Sequence, residues 1–227
     1  MSNKTIFVVA VFFACSFVGI LASSVFGQLH TTTDGICRVE TRTGSGTGFT
    51  VAKDGQRFEV WTNGHVTGPI GSAARLRFST GRSMEKTFGG IVAARRYQGG
   101  ADWAKIIGQG AYEGHIFPIS SLSDSKPDRL TGGFPNGGRF YSLVLSPQPA
   151  KSFGDINAYS PPAIPGQSGS PVCDETGAVV GVVTMYFDSG RQRFGGFLPI
   201  DDWMGQGRVS VRNVGNFKPL ENSPPVE

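Results

Sequence analysis

The sequence is short of leucine, cysteine, histidine and charge, and each shortage excludes something. Nine Leu against 20 Val in 227 residues, with 33 Gly, argue against a helical bundle. They favour many short strands joined by tight turns. The three cysteines, Cys15, Cys37 and Cys173, have no metal-ligand spacing, so no zinc site or other metal is expected. Charged residues make up only 17%, and the formal net charge is +4. Lys and Arg are scattered, with no run longer than Arg95-Arg96 and no aromatic–basic motif, which excludes a nucleic-acid partner. Low charge together with 11% aromatic residues excludes global disorder.

The N-terminus reads as an address. Lys4 is the only charge before residue 28, and residues 6–22 are uncharged and mostly apolar, followed by small residues. That order is the one of a secretory signal, expected here over residues 1–27. Seventeen apolar residues also approach the minimum for a membrane span, so an uncleaved anchor over residues 6–22 is the alternative. Either way the chain is expected to be exported, secreted or periplasmic, with membrane contact only if that segment is retained. Export makes a Cys37–Cys173 disulfide possible; two buried free thiols are the other reading.

From Ile36 onward the pattern is β-type runs with Gly-rich breaks. Residues 36–41, 47–52, 57–61, 74–79, 91–95 and 103–107 form a first series, with a hairpin turn at Lys53-Asp54-Gly55. Residues 120–128, rich in Ser and Asp, read as a linker. Residues 140–145, 170–173, 178–186 and 193–199 form a second series, with a turn at Asp174-Glu175-Thr176-Gly177. The expected organisation is a first β-domain over 28–119, a second over 129–204 and a flexible tail over 205–227.

Three motifs carry chemistry. Gly44-Ser45-Gly46-Thr47-Gly48-Phe49 is followed by Thr62-Asn63-Gly64-His65-Val66, which sets one of only three histidines at a strand end. Gly100-Ala101-Asp102-Trp103-Ala104 opens an apolar strand with a carboxylate that must be exposed or paired. Pro165-Gly166-Gln167-Ser168-Gly169-Ser170-Pro171-Val172 is a Gly-flanked turn whose backbone N–H groups converge beside a hydroxyl.

The set GSGTGF, TNGHV, ADWA, PGQSGSPV and TGAVVGVVT, in the order His, Asp, Ser, resembles the trypsin-like serine proteases of the chymotrypsin fold, nearest to the compact bacterial HtrA/Deg protease domain. The resemblance covers residues 36–202, and Thr131-Gly132-Gly133-Phe134-Pro135 is similar to the segment that opens the second barrel in that family. Lys105 departs from the aliphatic residue usual there. The resemblance implies an all-β fold of two packed six-stranded antiparallel barrels, with substrate in the crevice between them. It implies Ser168 as nucleophile, His65 as general base and acid, and Asp102 as the group orienting His65. The backbone N–H groups of Gly166 and Ser168 would bind the oxyanion. Thr184, Met185 and Tyr186 would pair with the substrate backbone, with Gly196 on the segment facing Tyr186.

Gln167 stands where many relatives carry the aspartate that pairs with a freed N-terminus, so no such activation switch is expected. A bulky Tyr186 where relatives often have Gly implies a narrow pocket for small aliphatic residues, with Asp188 a weak rival acceptor for a cation. The 59 residues after Ser168 leave no expected room for a PDZ domain. The expected partner is a protein or peptide substrate, with no cofactor; oligomeric state is unreadable. A catalytically silent exported β-domain that binds peptides is the alternative.

Overall fold

Alternating residues of a strand point to opposite faces, and in this chain the two faces serve different cores. A computed structural model describes residues 33–79, 85–98, 101–121, 129–147, 156–188, 193–203 and 217–219. The expected leader over 1–27, most of the linker over 120–128 and most of the tail over 205–227 lie outside the described residues.

Six strands, β1 (Ile36–Thr41), β2 (Gly44–Asp54), β3 (Arg57–Thr62), β4 (Ala73–Ser79), β5 (Glu85–Gln98) and β6 (Ala101–Gln109), close into an antiparallel barrel of order β1-β2-β3-β6-β5-β4. Cys37, Val39, Phe58, Val60, Leu76, Phe78, Val92 and Ile106 fill its interior. The Phe58 ring lies 5.1 Å from Phe88 and 4.7 Å from Tyr112, centroid to centroid. The expected hairpin turn is present, with Gly55 in the left-handed region at φ 55°. Ile36 and Phe49 face the other way and join a second core with Phe117, Phe134, Cys173, Val182, Leu198 and Trp203. That core holds the barrel against the second strand set.

The second set comprises β7 (Arg129–Gly133), β8 (Tyr141–Pro147), β9 (Asn157–Ser160), β10 (Pro171–Cys173), β11 (Val179–Asp188) and β12 (Arg193–Pro199), followed by a single helical turn, α1 (Ile200–Trp203), and β13 (Phe217–Pro219). All-β architecture is as expected, and so is the first closed barrel. The second strand set, expected as another six-stranded barrel, is a seven-stranded sheet of order β10-β7-β8-β9-β12-β11-β13, with an additional β10–β11 pairing. Its ladder is thin between β8 and β9, which share two residue pairs, and β13 extends it beyond β11. β7, β9 and β13 escape sequence reading because they are short or hold Gly and Pro; neighbouring strands, not propensity, draw them into the sheet. Phe217–Pro219 falls inside the expected flexible tail, yet pairs with Met185, Tyr186 and Phe187.

Cys37 and Cys173 are both free and buried. They do not form the optional disulfide, because Cys37 faces the barrel interior and Cys173 the core between barrel and sheet. Burial, aided by the charge of Asp174, pushes the Cys173 thiol up to about 12, and burial raises the Cys37 thiol further. Both are thereby inert as nucleophiles.

Candidate active site

His65 sits on a 3-10 turn, Gly64–Val66, directly after β3, and Asp102 is the second residue of β6, the strand that pairs with β3. Strand pairing therefore brings two residues 37 positions apart to one end of the barrel. Asp102 is 9% exposed, and its carboxylate is saturated with donors. Oδ1 accepts the backbone N–H of His65 at 2.9 Å; Oδ2 accepts Asn63 Nδ2 at 2.9 Å and lies 2.7 Å from His65 Nδ1. Burial alone would raise this carboxyl, but the attraction of the His65 imidazole and the hydrogen bonds from His65 and Asn63 outweigh it and hold it below the ordinary carboxylate range. With a carboxylate at Nδ1, that nitrogen carries the ring proton. His65 Nε2 is then an acceptor, and it is buried without a partner among the described residues.

Ser168 belongs to the loop between β9 and β10. Ser170 N–H donates to Gln167 O at 2.9 Å, and Gly169 N–H donates to Val183 O on β11 at 2.9 Å. Two glycines make the loop possible. Gly166 (φ +90°) and Gly169 (φ +85°) both lie in the left-handed region, and a Cβ there would stand 2.3 Å from Phe134 O or 2.1 Å from Thr47 O. The latter approach seats the residue after Ser168 against Thr62 and Asn63, two positions before His65. Thr47 N–H donates to Ser168 O at 2.8 Å, tying the loop to β2. Ser168 Oγ is buried and has no hydrogen-bond partner among the described residues; the bond to His65 Nε2 is not made. Among the described residues, neither Gly166 N–H nor Ser168 N–H donates to a backbone carbonyl.

Gln167 is buried and turned inward, its Oε1 accepting the N–H of Ile164 at 2.8 Å. The position next to Ser168 is thus satisfied within its own loop. Lys105 is also accommodated: its ammonium lies 3.4 Å from Glu59 and 5.1 Å from the Trp61 ring centroid.

The remaining expected site residues lie along β11 and β12. Thr184 is buried and its hydroxyl donates to Val182 O at 3.0 Å. A register shift between Val183 and Met185 sets Met185 opposite Gly196 and Tyr186 opposite Gly195. The side chains of Met185, Tyr186 and Asp188 lie outside the described part of the strand. A residue that sequence reading missed, Tyr159 on β9, fills the space over Gly195, where a Cβ would stand 2.1 Å from its ring. Asn63 and Thr47 were visible only as members of their motifs. Beside His65, Tyr97 holds its ring 6.1 Å away and carries the Arg95 guanidinium at 5.4 Å. These two, with Arg96 and Gln98, line an open cavity of about 510 Å³.

A family model described as the trypsin-like peptidase domain matches residues 46–182, a span that holds Thr47, His65, Asp102 and Ser168. The chain belongs to that family. It is a serine protease by class, a hydrolase, and a protein or peptide is its substrate. No curated relative matches the sequence. Solved structures with a similar fold include the Rv3671c protease from M. tuberculosis in its active form, 20% identical over 85% of this chain and 86% of that one, TM-score 0.59. The human pathogenic astrovirus serine protease is 22% identical over 74% and 91%, TM-score 0.54. The HtrA-type protease AlgW, solved with a tripeptide, is 16% identical over 79% and 61%, TM-score 0.61. At these identities the likeness is one of fold.

Proposed function

We propose that this protein is an exported endopeptidase that cleaves peptide bonds through Ser168, His65 and Asp102. One observation carries the reading: a buried imidazole, tethered at Nδ1 by a buried carboxylate, keeps Nε2 unpartnered while a buried serine hydroxyl is likewise unspent. Buried polar atoms without partners are costly, and such groups are retained where a substrate completes them. The reading requires Oγ to meet Nε2 once substrate is bound, a bond commonly loose in the free enzyme. Oγ then attacks the scissile carbonyl carbon as its proton passes to Nε2. The carbonyl oxygen, now negative, takes the free N–H groups of Gly166 and Ser168. His65 hands the proton to the leaving amine, and water releases the acyl group by the reverse sequence. Asp102 stays ionised throughout and holds the imidazolium.

The second sheet does the work of the second barrel in this reading; β10 pairing with both β7 and β11 supports it. Substrate adds antiparallel to β11 at Thr184, Met185 and Tyr186, beside Gly196. That edge already accepts an extended segment, since β13 pairs with Met185–Phe187. Substrate and Phe217–Pro219 therefore compete for one edge. Tyr186 together with Tyr159 over Gly195 favours small aliphatic residues before the scissile bond. Export rests on Lys4 and the apolar residues 6–22; among the described residues no helix is long and apolar enough to cross a membrane.

The test is labelling by a fluorophosphonate probe. Labelling that disappears in Ser168→Ala, with peptide turnover lowered by roughly 10⁶-fold, supports the protease. Labelling that survives the substitution removes Ser168 from the chemistry, and a wild type that does not label leaves a peptide-binding module built on the β11 edge. A peptide library cleaved after Arg instead of small residues would overturn the pocket.

A further inference from the structure

Thr47 lies outside the three side chains of the proposed mechanism, and it is completely buried on β2 of the barrel. All of its polar groups are engaged, and three of the four bonds cross to the nucleophile side. Its N–H donates to Ser168 O at 2.8 Å, its hydroxyl donates to Gly166 O at 2.7 Å, and the same oxygen accepts Phe134 N–H at 3.1 Å. Its carbonyl accepts the Thr62 hydroxyl at 2.6 Å, which anchors it to β3. Space for this hydroxyl exists because position 133 is Gly; a Cβ there would stand 2.8 Å from Thr47 Oγ1.

Gly166 at φ +90° has no side chain to restrict it. Its two flanking peptide planes are instead held from outside. Asn136 N–H donates to Pro165 O, and the Gly166–Gln167 plane is gripped at both ends, by Thr47 Oγ1 on its carbonyl and Ile164 O on its N–H at 3.0 Å. Because the peptide bond is planar and trans, Asn136 on Pro165 O fixes the plane of the Gly166 N–H, and Thr47 on Gly166 O fixes the plane that joins it to the Ser168 donor. Ser170 N–H on Gln167 O holds the plane of the Ser168 N–H, and Thr47 N–H on Ser168 O holds the plane that follows it. Without the hydroxyl, the buried Gly166 carbonyl and Phe134 N–H both lose their partner, and rotation of a glycine-flanked peptide is the low-cost way to regain one.

From this geometry we infer that Thr47 is a positioning residue: the barrel uses its hydroxyl to set the oxyanion-binding N–H groups of the opposite sheet. The inference rests on the protease reading above. It assigns the Thr47 hydroxyl to transition-state binding with no share in ground-state binding.

Thr47→Val, near-isosteric but without the hydroxyl, is compared with Thr47→Ser, which keeps it. The readouts are the second-order rate of fluorophosphonate labelling, kcat and KM on a fluorogenic peptide the wild type cleaves, and the melting midpoint. Expected for Thr47→Val is a fall of about ten- to a hundredfold in labelling rate and kcat, bounded by the loss seen when a whole oxyanion donor is removed, with KM within about threefold. Thr47→Ser is expected to recover most of the rate. Should Thr47→Val not fold, Thr47→Ala carries the same comparison. A folded hydroxyl-free variant that labels at the wild-type rate overturns the inference, as does a loss confined to KM or a loss that Ser does not rescue. Failure of the underlying reading looks different: wild type would not label, or Ser168→Ala would label as well.

Discussion

The two halves of the site each keep one reactive atom open, His65 Nε2 and Ser168 Oγ, and differ in how the group that carries it is held. On the barrel side, Asp102 accepts three hydrogen bonds and His65 is locked by two of them. On the sheet side, among the described residues, Ser168 Oγ has no partner and the N–H groups of Gly166 and Ser168 donate to no backbone carbonyl. A satisfied network fixes orientation; unspent donors and hydroxyls are where a ligand gains energy. The acid–base half is thus built as a rigid fixture and the nucleophile half as a receptor, held in place by backbone bonds and by contacts with the barrel. The same contrast holds for the folds around them: a closed barrel with a packed aromatic interior, against a sheet whose β11 edge takes a third strand pairing.

The contrast can be broken most sharply at Asp102. Asp102→Asn removes the acceptor that sets the His65 tautomer, and kcat is expected to fall roughly 10⁴-fold, as in other triads, with the fold retained by far-UV circular dichroism. The same variant tests the electrostatics. A carboxyl held below its ordinary value contributes stability that is fully present above the unfolded pKa, about 3.9, and is lost as pH falls through the lowered folded value. The stability gap between wild type and Asp102→Asn, from urea titrations, should be widest at neutral pH and close under strong acid. A gap that widens with acid would refute the assignment.

The rigid half should suffer next from a cavity. Phe58 is 1% exposed among Phe78, Phe88 and Tyr112, so Phe58→Ala should cost about 3–5 kcal/mol in denaturant unfolding. Asn63→Ala, which removes one of three donors to Asp102, should lower kcat on the order of tenfold, because the His65 bonds remain. At the receptor half, Lys218 pairs opposite Tyr186. Lys218→Pro deletes a backbone donor in β13 and should raise kcat/KM about twofold to tenfold by vacating the edge; an unchanged value would show that β13 and substrate do not compete. The smallest effect is expected at the thiols: Cys37 and Cys173 in the native protein should resist iodoacetamide at pH 8 and react once unfolded, read by peptide mass.

Much of the barrel was legible because its strands alternate cleanly. Arg57–Thr62 and Ala73–Ser79 bury every second residue, and the Lys53-Asp54-Gly55 turn between β2 and β3 carries its own signature. β7, β9 and β13 were not legible, since Arg129–Gly133 holds two Gly, Asn157–Ser160 has four residues and Phe217–Pro219 three, and none shows a hydrophobic period. Gly196 lies on β12, the segment that faces Tyr186, but its exact partner was not legible. A bulge between Val183 and Met185 moves the register by one, and no composition signal marks it.

Residue type and order, by themselves, determined an all-β chain and the motifs that assign it to a protease family. They do so because His, Asp and Ser in Gly-bounded turns at strand ends are identifiable one by one. Tertiary structure alone decided which groups meet: that Cys37 and Cys173 face separate cores, that Asn63 supports Asp102, and that Thr47 reaches across to Gly166. Those outcomes depend on which face of each strand is buried and against what, and contacts between residues as far apart as Thr47 and Gly166, 119 positions, leave no trace in a local pattern.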